Sequence, residues 1–181
     1  VRPTGGFELA GKEKLLDAGV FSIESLSVRT PSGAIVEREV MHHPGAVGAV
    51  VVDEGDVVLV RQYRAALGKE LLEIPAGKRD VSGEPPELTM GRELAEEVGL
   101  VPGKLELLCS LYTSPGCSDE EVLVYLATDC KRTEREPHGP EEEAMQTVRV
   151  PVSELRALLA TGEVRDAKTL VGLLSFLQRG T

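Results

Sequence analysis

Three carboxylates stand at helical spacing in the run Arg92-Glu93-Leu94-Ala95-Glu96-Glu97-Val98-Gly99-Leu100. At about 100° per residue, Glu93, Glu96 and Glu97 occupy positions i, i+3 and i+4 and share one helix face. Leu88, Gly91, Leu94, Ala95 and Val98 fall on the opposite face and are expected to pack inward. Like charges at this spacing cost an isolated helix a few tenths of a kcal/mol per pair. A hard divalent cation such as Mg²⁺, which takes oxygen ligands, would neutralise such a front. A solvated face in an acidic chain presents the same pattern, so the helix alone leaves both readings open.

The elements that must hold this helix are legible on either side. Pro86 suits a first helical turn, Glu84 and Glu87 suit the positive end of its dipole, and Gly99 is placed as a C-terminal stop, which predicts a helix over 86–98. Upstream, 21–41 reads as a hairpin about the turn Thr30-Pro31-Ser32-Gly33, while 1–20 is weakly patterned. Strands follow at 46–52 and 57–61 across the turn Asp53-Glu54-Gly55-Asp56, and at 71–75. The nearly unbroken apolar run from Val47 to Val52 suits burial on both faces. Downstream, strands are expected at 105–111, 122–128 and 148–152, with a charged loop over 131–143. Helices are expected at 153–160 and 167–178, with Ser153 and Asp166 as N-caps. The pattern predicts a mixed-sheet α/β domain with helices on both faces.

Glu84, seven residues, and then Arg92-Glu93-Leu94-x-Glu96-Glu97-x-Gly99-Leu100 resembles the Nudix box of the Nudix hydrolases. The one departure is at the front, where six residues separate Gly77 from Glu84 instead of the family's five. The extra residue falls in a Gly- and Pro-rich loop, where it is easily absorbed. The resemblance covers about residues 35–175. It implies a Nudix-type mixed β-sheet sandwiched between helices, and hydrolysis of a nucleoside diphosphate linked to another moiety. It further implies that Glu93 and Glu97 are metal ligands, that Glu96 is a supporting ligand or water-orienting carboxylate, and that the Ala76 carbonyl completes the set. Mg²⁺ is the expected ion, with Mn²⁺ as an alternative. Arg92 and Glu84 would be structural, bracing the loop against the helix.

Three further segments resemble the ADP-ribose pyrophosphatase subgroup: Val60-Arg61-Gln62-Tyr63-Arg64, Leu72-Glu73-Ile74-Pro75-Ala76-Gly77, and Ser114-Pro115-Gly116-Cys117-Ser118-Asp119-Glu120. Pro115 stands 15 residues beyond the end of the box, about where that subgroup carries a proline. The resemblance implies ADP-ribose as substrate, with AMP and ribose 5-phosphate as products. Another nucleotide sugar or a dinucleotide is the alternative substrate, and a catalytically silent ADP-ribose sensor is the alternative outside enzymes. In this subgroup the water-activating carboxylate lies late in the chain, which points to Glu142, with Glu141 and Glu143 as neighbours in the same acidic run. Arg64 and Arg38 are candidates for phosphate or ribose, Glu73 for an acceptor to base or ribose, and Ser114, Pro115 and Gly116 for the substrate loop. The subgroup also implies an N-terminal β extension, here 1–42 ahead of a hydrolase domain at 43–181, that mediates a homodimer.

Composition narrows the partners. The 181 residues carry a net charge of −10, which argues against nonspecific binding to nucleic acid or to an anionic membrane. Any phosphate substrate must be drawn in by local arginines and metal. Three cysteines without Cys-x-x-Cys spacing suit a reducing, cytoplasmic setting. The opening Val1-Arg2-Pro3-Thr4-Gly5-Gly6 holds no apolar signal core, and no apolar run is long enough to span a bilayer.

Overall fold

The computed structural model describes residues 5–180. Two compact units divide the chain: one runs through Gly45 and includes Tyr112–Glu121, and the other comprises Ala46–Leu111 and the chain from Val122 on.

The first unit holds an antiparallel sheet of β1 (Glu8–Asp17), β2 (Ser22–Arg29) and β3 (Ile35–His42), in that order. β2 and β3 are the expected hairpin. β1 lies in the stretch that carries no clear pattern, and the reason is physical. Nearly every residue of β1 is exposed, so no buried face imposes alternation on its sequence.

The second unit begins with β4 (Ala46–Asp53) and β5 (Asp56–Arg64), paired across the Asp53–Asp56 turn, followed by β6 (Lys69–Glu73) and β7 (Ala76–Lys78). Then come α1 (Pro86–Val98), β8 (Leu100–Val101), β9 (Lys104–Tyr112), β10 (Glu121–Thr128) and β11 (Lys131–Arg132). The chain ends with α2 (Pro140–Glu143), β12 (Gln146–Pro151), α3 (Leu155–Thr161) and α4 (Ala167–Gln178). The principal sheet runs β12-β5-β4-β10-β9, with β6 paired to β5 and β7 to β4. It is mixed, since β4 and β10 are parallel while β5 is antiparallel to β4, β6 and β12. The loop expected over 131–143 in fact carries β11 and the single turn α2. Among the described residues no helix is long and apolar enough to cross a membrane.

β4 explains the sandwich. Val47, Ala49 and Val51 face one core with Met90 and Leu94 of α1, and Val50 faces the other with Leu173 and Phe176 of α4. Each such burial is worth roughly 1.5–3 kcal/mol, and it occurs on both sides of one strand. Gly172 lets α4 approach closely, since a Cβ there would lie 3.0 Å from Val124 Cγ1 and 3.2 Å from Val50 Cγ2.

α1 has the predicted limits, with Pro86 in its first turn and Gly99 as a left-handed cap whose N–H donates to the Ala95 carbonyl at 3.1 Å. The orientation differs from expectation. The helix buries Thr89, Met90, Glu93, Leu94, Glu96 and Glu97, whereas Leu88 is 63 % exposed. The carboxylate face is turned inward, because α1 packs against β4, β7 and β8 rather than lying with its acidic side in solvent. At α4 the expected Asp166 cap is present, accepting from the Thr169 N–H at 2.9 Å. At α3 it is not Ser153 that caps. A 3₁₀ turn over Val152–Glu154 leads into the helix, with Glu154 at the N-cap and no side-chain cap bond.

Candidate active site

One short backbone segment, β7, frames the carboxylates. β7 passes beneath α1 so closely that a Cβ on Gly77 would lie 1.9 Å from Glu93 Cδ and 2.3 Å from both Glu93 oxygens. Only glycine leaves room for that carboxylate. One residue earlier, the Ala76 N–H donates to Glu97 Oε2 at 3.0 Å. The loop that follows β7 leads from there to Glu84.

Glu93, Glu96 and Glu97 are 8 %, 9 % and 3 % exposed. Arg92 is the cation nearest them: its NH1 lies 3.0 Å from Glu93 Oε1 and 3.1 Å from Glu96 Oε2, and its NH2 lies 3.7 Å from Glu84 Oε2. Thr89 Oγ1 donates to Glu84 Oε2 at 2.7 Å, so Glu84 braces the loop against the helix. One arginine does not compensate three buried carboxylates. Burial pushes Glu93 up to about 7; Arg92 opposes the shift, while Glu96 and Glu142 add to it. Burial pushes Glu97 up to about 8, against the Ala76 amide and with the charges of Glu93 and Glu142.

Glu142 is thus felt at both box carboxylates, which distinguishes it from its neighbours. It is half-buried on α2, whereas Glu141 and Glu143 are exposed. Its Oε2 accepts from the His138 N–H at 2.6 Å, and His138 Nε2 lies 3.6 Å from Glu96 Oε1.

A second cluster sits on β5, β6 and α4. Arg64 grips Glu73 with both edges of its fork, Nε at 2.7 Å and NH2 at 2.6 Å. Lys168 Nζ also donates to Glu73 Oε2 and lies 3.0 Å from Asp166 Oδ2. Glu73 is 1 % exposed and its oxygens are taken by these donors, so its place is beneath Arg64 and not facing solvent. Burial alone would raise its pKa; Arg64 and Lys168 outweigh burial and hold Glu73 below the usual carboxylate range. The positive charge of Lys168 also reaches Glu97, where it favours the ionised form. Sequence reading passed over Lys168. The available signal was a lysine in the first turn of α4, where the helix dipole disfavours a cation and some buried anion must compensate.

The remaining candidates belong to the first unit. Arg38 is exposed on β3, its NH1 donating to the Glu37 carbonyl at 2.6 Å. Ser114 closes a turn by accepting from the N–H groups of Cys117 and Ser118, with Pro115 and Gly116 exposed at its tip. The loop is tied to β3: Met41 N–H donates to the Cys117 carbonyl at 2.8 Å, and His42 Nδ1 lies 2.6 Å from Asp119 Oδ2.

The buried carboxylates of Glu93, Glu96 and Glu97 fit a hard divalent ion by their chemistry, since such an ion takes oxygen donors, and Gly77 leaves the cradle in which Glu93 lies. Among the described residues no three Asp, Glu, His or Cys side chains converge as a closed ligand set. Glu93 and Glu96 lean on Arg92, and Glu97 leans on the Ala76 amide.

Comparison with known proteins agrees with this geometry. Residues 41–171 match the family described as the NUDIX domain. The chain is 43 % identical over 171 residues to an ADP-ribose pyrophosphatase of Mycobacterium tuberculosis, covering 93 % of this chain and 82 % of the relative. It is 39 % identical over 159 residues to an ADP-ribose pyrophosphatase of Bacillus subtilis, covering 87 % and 85 %. A crystal structure of an ADP compounds hydrolase superposes with a TM-score of 0.84 at 23 % identity, over 96 % of this chain and 93 % of that one, which bears on the fold alone.

Proposed function

The chain belongs to the Nudix family, and on that premise we propose that it hydrolyses ADP-ribose to AMP and ribose 5-phosphate. The observation that carries the reading is the buried face of Glu93, Glu96 and Glu97 held by one arginine, Arg92, with the charge of Glu142 felt at Glu93 and Glu97. Nudix hydrolases use a divalent cation. Mg²⁺, or Mn²⁺, would be held by Glu93, Glu96, Glu97 and the Ala76 carbonyl, and would supply charge neutralisation at the diphosphate.

The chain's own groups do the rest. Glu142 is the general base. It takes a proton from water as the water oxygen bonds to phosphorus and the anhydride P–O bond breaks. Its Oε2 is occupied by the His138 N–H, which steers the carboxylate and leaves Oε1 to receive the proton. Glu141 and Glu143 point to solvent and are alternatives only if the loop rearranges. Arg64 spends Nε and NH2 on Glu73 and keeps NH1 for an anionic group of the substrate. Glu73 then orients this arginine instead of accepting from base or ribose directly. Arg38, Ser114, Pro115 and Gly116 are proposed as further substrate-binding residues.

The N-terminal sheet pairs with a second copy of the chain. Leu9, Leu15 and Leu16 of β1 are about half exposed or more, an apolar surface that a partner would cover. Three free cysteines support a reducing, cytoplasmic setting.

Purified protein with Mg²⁺ and ADP-ribose is expected to release AMP and ribose 5-phosphate in equal amounts. No AMP release would sink the assignment. Faster turnover of GDP-mannose or a dinucleotide in the same panel would move it to another substrate.

A further inference from the structure

We propose that Arg135 is a positioning residue for catalysis, a clamp that holds the turn α2 so that Glu142 keeps its aim. The inference rests on the reading of Glu142 as the base and extends it.

The segment leading to Glu142 is pinned at its start. The Thr133 N–H donates to the Gly99 carbonyl at 2.9 Å, and a Cβ on Gly99 would lie 2.9 Å from the Thr133 carbonyl oxygen. The box glycine thus both ends α1 and lets this strand of chain pass against it. Two residues on, Arg135 reaches across the loop it opens. Its NH2 donates to the Glu142 carbonyl, and its NH1 lies 3.4 Å from the Met145 carbonyl. Those are the carbonyls at the C-terminal end of α2 and just beyond it.

α2 needs such help. A helix of four residues is far below the length at which helices persist alone. Its own bonds are few: Glu143 N–H to the Gly139 carbonyl, Ala144 N–H to Pro140, and Met145 N–H to Glu142. The last carbonyls of any helix lack partners within it and carry partial negative charge, which suits a guanidinium. The planar fork of Arg135 spans two of these acceptors at once; a lysine has the charge without the span. Arg135 touches no reacting group. It acts through the backbone that sets the direction of the Glu142 side chain, and misplacement by about 1 Å can cost a factor of about 100 in rate.

The test is a double-mutant cycle of Arg135→Gln and Glu142→Gln in the full chain with ADP-ribose and Mg²⁺, joined by hydrogen exchange at the Glu143, Ala144 and Met145 amides. Arg135→Gln should lower kcat by about 10- to 100-fold with KM nearly unchanged, and should speed exchange at those three amides. In the Glu142→Gln background the same change should lower kcat by less than about threefold, and Arg135→Lys should recover only part of the loss. An unchanged kcat in Arg135→Gln would overturn the proposal. So would an equal loss in both backgrounds, which marks general damage, or full recovery with lysine, which marks charge alone. Full activity of Glu142→Gln would remove the base assignment and with it the catalytic role proposed for Arg135. The exchange measurement would still report whether Arg135 grips α2, so the two failures are separable.

Discussion

Two sets of buried glutamates sit in one unit of this protein and are treated in opposite ways. Glu73 meets two cations at close range, Arg64 and Lys168, and is held ionised. Glu93 and Glu97 are similarly withdrawn from water, yet share one arginine and an amide N–H, and burial drives both upward. A carboxylate paired on all sides is architecture. Carboxylates crowded together with too little positive charge are ready for an added cation, and the difference lies in the neighbours, not in the residue type.

The largest contrast should appear on neutralising one glutamate from each set. Glu97→Gln is expected to cut kcat by about 1000-fold, worth about 4 kcal/mol at the barrier, while the melting temperature of the metal-free protein holds below about pH 8, where Glu97 is already protonated, and rises above it. Glu73→Gln is expected to do the reverse to stability. It leaves Arg64 and Lys168 without their counter-ion at a cost of about 3 kcal/mol, read as a melting temperature lower by about 10 °C. Equal thermal shifts in the two variants would erase the distinction.

Next in size is the cradle. Gly77→Ala forces a methyl into the Glu93 carboxylate and should lower kcat about 100-fold with the β4–β5 core intact, as judged by kinetics alongside far-UV circular dichroism.

Acidity separates the two sets again. Glu93 and Glu97 bind protons more tightly folded than unfolded, so their contribution to stability is full below about pH 4.5 and is lost as pH rises through about 7 and 8. Glu73 is depressed, so its contribution is full above its unfolded value and is lost as pH falls through the folded one. Metal-free protein should therefore melt lower at pH 8 than at pH 6, by on the order of 5 °C, and Mg²⁺ should narrow the gap. A melting temperature that rises over this interval without metal would contradict the carboxylate balance. The smallest expected change is Leu88→Ala, within about 0.5 kcal/mol in denaturant titration because Leu88 is exposed, against about 2–5 kcal/mol for Met90→Ala on the buried side of the same helix.

Leu88 and Met90 also mark a limit of sequence reading. Periodicity placed α1 to its ends, since proline, acidic first turn and left-handed glycine are local signals. It put Leu88 with Leu94 on the inward face and left the acidic front open between solvent and a bound cation. Which face turns inward depends on β7 lying under Glu93, a contact between segments that no local pattern records. β1 escaped notice for the complementary reason: an exposed strand has no alternation to detect. Glu141, Glu142 and Glu143 are equivalent as letters; the turn at α2 half-buries one and exposes two.

The chain by itself determined the chemistry on offer: three carboxylates at helical spacing, a glycine upstream of them, an arginine one and four positions before Glu93 and Glu96, and the family to which this spacing belongs. These are matters of residue type and short-range geometry, which a few consecutive positions suffice to specify. Tertiary structure alone decided which acids are neutralised and which are left uncompensated. Lys168 comes to Glu73 across 95 positions of sequence, and Arg135 to Met145 around a loop. The charge state of a carboxylate follows from everything packed around it, and that surrounding is assembled only when the chain folds.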